Sequence, residues 1–173
     1  MNLSETEFAV LRHTIASRGT TRMVLLPVTL IGWSALNLVL LSFTPLPVAS
    51  LLTLAVLVGS FEAIHALHVG VERIGRYLQV FYETENGAPR WETTAMAVGP
   101  SLPGGGIDPL FSVVFISAAV LNMIPGLLPQ PTRLELGVVG VFHLLFVFRV
   151  IRARGAAARQ RAVELESFRA LRK

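Results

Sequence analysis

Glu62, His65, His143 and Ser117 are the side chains whose type and spacing could do chemistry in this chain. Glu62 and His65 stand near the polar end of an apolar run that begins at Val48, while Ser117 and His143 lie within two later apolar runs. If these runs are helices in lipid with the inner boundary near Gly70, the 1.5 Å rise places Glu62 about 12 Å deep and His65 about 7 Å deep. Measured back from Arg149, His143 lies about 9 Å deep, and Ser117 falls at a similar level. A carboxylate at such a depth is costly as an ion, so it must be protonated, paired or beside water. Such a group is a functional candidate by default. The sequence therefore predicts one intramembrane polar cluster of Glu62, His65, His143 and Ser117.

That cluster has three chemical readings. Its members could satisfy one another and fix helix register. Glu62 and His143 could instead line a path for protons or a small ion. The third reading is a metal or haem site, because Glu62-Ala63-Ile64-His65 has the Glu-x-x-His spacing of di-iron helical bundles. Those bundles need two such motifs, and this chain has one, so a dimer would have to supply the second. Haem ligation would pair His65 or His68 with His143. The expectation is no cofactor and no metal. Cys is absent, which removes disulfides, thiolate metal sites and Cys nucleophiles. No Ser/His/Asp arrangement stands out, and Gly104-Gly105-Gly106 lacks the strand and the GK[ST] of a phosphate loop. The expected protein is not an enzyme.

The elements that must position these residues follow from composition. The chain is 53% hydrophobic and 15% charged, with a mean hydropathy of +0.61. A soluble domain carries about 25% charged residues, so charge this sparse between long apolar runs points to a membrane protein. The expected fold is an all-α integral membrane protein, a four-span bundle of two short-turn hairpins. It has an N-terminal amphipathic helix, a cytosolic extension of span two and a basic helical tail.

Residues 1–20 read as an amphipathic surface helix opened by a Ser4/Glu7 capping box and broken at Gly19 and the two threonines after it. Span one covers 23–43, with Pro27 in its first turns. Its apolar run is too long for a secretory signal peptide, so it is expected to stay uncleaved. Residues 47–83 form one helix that starts as span two and continues into the cytosol. The glycine- and proline-rich stretch 84–107 reads as a loop. Span three covers 109–128, opened by an Asp108 cap and Pro109. Span four covers 133–151 and is opened by a Thr132/Glu135 capping box. The tail, 152–173, is helical and basic, loosened at Gly155.

Orientation follows from the basic residues. With the N-terminus inside, fourteen of the 15 lie on the cytosolic side and only Arg133 lies outside. Both termini are therefore expected in the cytosol. Lys173 is the sole Lys, a bias that suits a G+C-rich bacterial genome, and hence a bacterial inner membrane.

On the extension of span two, Glu62, His65, Val69, Glu72, Arg76, Gln79 and Glu83 share one stripe, read as a solvated face with Glu72–Arg76 paired at i,i+4. Ile74, Leu78 and Phe81 form the opposite apolar face, offered to a partner or to the chain's own end helices. Arg152, Arg154, Arg159 and Arg161 are the candidates for contact with anionic lipid rather than nucleic acid. Asn37 and Asn122, each about 20 Å from the inner boundary, form a candidate hydrogen-bonded pair, and Trp33 belongs to the bundle core. These features favour an inner-membrane scaffold or accessory subunit that self-associates or docks to a larger complex.

Overall fold

A computed structural model describes residues 3–43, 46–83, 90–98 and 109–172, and their regular structure is entirely helical. The helices are α1 (Leu3–Phe43), α2 (Ser50–Phe81), α3 (Trp91–Val98), α4 (Pro109–Leu127) and α5 (Arg133–Arg172), with a 3₁₀ turn at Pro47–Ala49 leading into α2. Three of them, α1, α2 and α5, are long and apolar enough to cross a membrane. The fourth expected span is a shorter apolar helix, Phe111–Leu127, so among the described residues the full-length candidates number three rather than four. Pro125 and Gly126 lie in the last turn of α4, which ends at Leu127.

The expected break after residue 18 is absent, and α1 runs unbroken for 41 residues. Thr20 and Thr21 return their hydroxyls to the Ala16 and Ser17 carbonyls, so neither offers the backbone a competing turn. Gly19 costs about 1 kcal/mol against Ala, too little to stop a helix already propagating on both sides. Pro27 consequently lies deep in the helix interior, where it leaves the Met23 carbonyl without its i+4 donor. In the same way α5 passes through Gly155 without interruption over 40 residues. Within 84–107 the structure places the short helix α3, while residues 84–89 and 99–108 lie outside the described residues. The Asp108 cap and the Gly104–Gly106 run belong to that undescribed part.

The chain divides into two compact units. An apolar unit comprises Met23–Ile64 and Pro109–Ala153, and a polar unit comprises Met1–Arg22, His65–Asp108 and Arg154–Lys173. In the apolar unit the core is built at helical spacing from Leu54, Leu57, Phe61 and Ile64 of α2, Phe115, Ala118 and Ala119 of α4, and Phe146, Val150 and Ala153 of α5. Phe61 is its centre, with ring centroids 5.6 Å from Phe111, 5.4 Å from Phe115 and 5.9 Å from Phe146. Gly126 lets α4 approach the start of α2 closely: a Cβ there would fall 3.1 Å from Ser50 Oγ and 3.2 Å from the Pro47 carbonyl, tight enough that a neighbour would have to give way slightly. The turn into α5 places Gln130 at φ 55°, left-handed backbone that a non-glycine residue adopts at a cost. Thr132 and Glu135 then form the expected capping box: Thr132 N–H and Oγ1 both meet Glu135 Oε2 at 2.8 Å.

Candidate functional site

The polar residues of the apolar unit gather on Asn122 of α4, which is fully buried. Its Oδ1 accepts from the Trp33 indole at 2.8 Å and from Asn37 Nδ2 at 3.4 Å. Its Nδ2 donates to the Ser50 carbonyl at 2.8 Å and to His143 Nε2 at 3.0 Å. All four hydrogen-bonding positions of the amide are therefore used, by α1, α2 and α5 at once. Trp33 is a donor only and the Ser50 carbonyl an acceptor only, so the amide has one satisfactory orientation. With Nδ2 facing it, His143 Nε2 must accept, and its Nδ1 at 2.8 Å from the Val139 carbonyl must carry the proton. The expected Asn37–Asn122 pair is thus present, as part of a larger network.

Glu62 stands outside this network. It pairs with Arg149 at 2.8 Å, both side chains being close to half exposed at 43% and 44%. His143 therefore does not meet Glu62, as the polar-cluster reading required. Arg149 follows His143 by six residues, about 120° around the helix, so the two side chains leave α5 on different faces. Ser117 is exposed, on the other side of α4 from buried Ala118 and Ala119. His65 belongs to the polar unit, where it is half-buried. The predicted cluster thus resolves into a neutral hub at Asn122 and His143 and an ion pair at Glu62 and Arg149, with Ser117 exposed on α4 and His65 assigned to the polar unit.

The Glu-x-x-His motif does not assemble a metal site: among the described residues, no group of three or more His, Asp or Glu side chains could hold an ion. Both ring nitrogens of His143 are engaged, leaving no lone pair free for haem iron. His68 Nδ1 lies 2.9 Å from Arg22 Nη1, and its Nε2 lies 3.6 Å from Glu72. A shallow hollow beside Asn37, between Leu40, Leu46 and Pro125, holds about 10 Å³, no more than the room one water molecule needs.

In the polar unit, the stripe read as a solvated face is largely covered. Arg76 is 3% exposed and is held by Glu164 of α5 and by Glu72 at 3.4 Å. Glu72 also takes Arg161, and Glu164 takes Arg73 at 2.8 Å and Gln160 at 2.7 Å. Burial pushes the Glu164 carboxyl upward, but hydrogen bonds from Arg76, Arg73 and Gln160 outweigh it and hold the group below its ordinary 4.5. Periodicity could show that these residues share a face; it could not show that α5 brings the complementary charges. Gln79 Oε1 is buried without a partner among the described residues.

Of the two covers expected for the apolar face, a partner or the chain's own end helices, the structure supplies the second. Leu78 is 1% exposed, and Phe81 lies between Tyr77, 4.7 Å away, and Phe168 of α5, 6.4 Å away. Ile74, one turn earlier, is half-buried. Glu7, expected to cap α1, accepts from the Tyr77 hydroxyl at 3.0 Å and from the Tyr82 hydroxyl. That carboxylate pushes Tyr82 up to about 12. The side chain of Ser4 lies outside the described residues.

Glu83 at the end of α2 caps α3, its two oxygens accepting from the Glu92 and Thr93 amides at 2.6 Å and 2.8 Å. Glu92 packs on Gly75 and pairs with Arg12 at 3.1 Å. Its burial raises its pKa against the pull of Arg12. Of the arginines assigned to lipid, Arg161 is committed to Glu72, Arg152 lies over the Phe148 ring at 5.3 Å, and Arg159 is exposed. The side chain of Arg154 lies outside the described residues.

Fold and site together define an all-helical protein with apolar helices long enough to span a membrane, whose apolar unit ties Trp33, Asn37 and His143 to Asn122. Comparison with protein-family models, with curated proteins and with solved structures finds no match.

Proposed function

We propose that this chain is a non-enzymatic scaffold or accessory subunit of a bacterial inner membrane, with α4 completing four crossings and both termini in the cytosol. The observation that supports this reading is the Asn122 hub. A carrier needs polar side chains that water or an ion can reach, whereas here the most deeply placed ones satisfy each other around one saturated amide. The basic-residue count supports the orientation. The expected assembly is a homo-oligomer or a larger complex in a lipid bilayer, with anionic lipid near the tail and no nucleic acid.

Native gels of gently solubilised membranes test it. The protein should migrate well above its 18.8 kDa plus detergent. A monomer whose proteoliposomes conduct protons, with conduction abolished by Glu62→Gln, would overturn the proposal in favour of transport. Reporter fusions at residue 95 and at the C-terminus should both read cytosolic, and opposite sides would remove α4 as a crossing.

A further inference from the structure

Among the described residues of the polar unit, Arg18 and Arg22 are the half-buried arginines without an acidic partner. Among the described residues of that unit, Arg12, Arg73, Arg76 and Arg161 each pair with a carboxylate, and Arg18 and Arg22 do not. They stand one turn apart on α1, so their side chains share a face, and both are half-buried. Arg18 is seated against bare backbone of α2: a Cβ on Gly70 would fall 2.5 Å from its Nη1. Only glycine admits the guanidinium there. Arg22 is oriented by its contact with His68 Nδ1, which engages one of its five N–H donors. The carboxylate on the far side of His68, Glu72, is already shared by Arg76 and Arg161. Two positioned guanidiniums with spare donors and no counter-charge make an anion site, and guanidinium matches phosphate oxygens in a bidentate fork. The apolar stretch of α1 begins at the next residue, Met23, which sets the pair at the depth where headgroups lie.

We propose that Arg18 and Arg22, laid across Gly70 and His68 of α2, bind the phosphoryl headgroup of an anionic phospholipid. This site is separate from the tail arginines, and it rests on the membrane reading above.

Native mass spectrometry of the detergent-purified full chain, titrated with phosphatidylglycerol, tests it. Wild type should retain one tightly bound lipid, and Arg18→Gln with Arg22→Gln should weaken that binding on the order of thirtyfold, the contribution of two basic groups near a lipid surface. Gly70→Ala keeps both charges but displaces Arg18, and should weaken binding in the same direction. Arg90→Gln with Arg133→Gln, two exposed arginines outside both groups, should leave it unchanged. Equal retention by the Arg18/Arg22 double variant, equal loss in the Arg90/Arg133 variant, or equally tight phosphatidylcholine would each overturn the site. Inorganic phosphate bound as tightly in the absence of lipid would overturn the lipid as its source. Alkaline extraction of membranes separates the underlying reading: a chain that stays in the membrane while lipid binding is unaltered refutes the site alone, and a chain that washes off refutes the membrane reading itself.

Discussion

The apolar and polar units bury hydrogen-bonding groups by opposite means. In the apolar unit the buried set is neutral: an amide, an indole, a second amide and an imidazole meet on Asn122 with every position used. In the polar unit the covered set is ionic, with Arg76 shut between Glu72 and Glu164 and each carboxylate holding a further cation. A neutral hub avoids the desolvation cost of ions, and it depends on geometry that no single neighbour can supply. An ionic seam tolerates looser geometry, and its strength depends on the protonation of two carboxylates. The half-exposed Glu62–Arg149 pair is the apolar unit's exception among the described residues.

Arg76→Met should break that contrast most severely, because it leaves Glu72 and Glu164 covered and short of charge. A loss of about 3 kcal/mol is expected, seen as faster amide hydrogen exchange over 160–172 with exchange over 111–127 unchanged. Asn122→Asp keeps the shape of the hub and its acceptor for Trp33 and Asn37, but its neutral carboxyl has one donor where the amide has two. At roughly 0.6 kcal/mol per intramembrane hydrogen bond, the expected cost is about 1 kcal/mol or more, measured by unfolding in mixed micelles. Asn122→Leu should cost about twice that.

Acid sharpens the comparison. Glu164 is held below 4.5, so the seam has its full strength above that pH and loses it as pH falls through the depressed value. Amide-exchange protection over 160–172, corrected for the pH dependence of intrinsic exchange, should be flat from about pH 8 to 5 and fall below, with Glu164→Gln removing the fall. Glu92 works in the other sense. Its raised value means that docking of α3 is strongest when the carboxyl is protonated and weakens as pH rises through that value. The smallest effect is expected at Gln79, where Met removes an orphan acceptor and should leave stability unchanged or raise it by up to about 1 kcal/mol.

Much of this fold was legible in the residues. The unbroken α2 followed from an apolar run passing into an amphipathic one with no Gly-Pro signal between, and the Asn37–Asn122 contact followed from depth alone. The Thr132/Glu135 box was a local signal that nothing overrode. What failed was inference about partners. Depth suggested His143 for Glu62, while the angle around α5 delivers Arg149. The stripe through Glu72 and Arg76 looked solvated because its cover lies almost ninety residues away on another helix, a relation that periodicity does not carry. Gly19 misled for the converse reason: a weak local breaker was weighed without the helix on either side of it.

The chain's two tryptophans fall one in each unit. Trp33 has its indole N–H held by Asn122, and Trp91 is 62% exposed at the start of α3. The protein therefore carries two built-in optical reporters of contrasting environment: a shielded, blue-emitting indole and an accessible, red-emitting one. A single acrylamide titration, read at both edges of the emission band, would follow the melting of each unit separately without any added label.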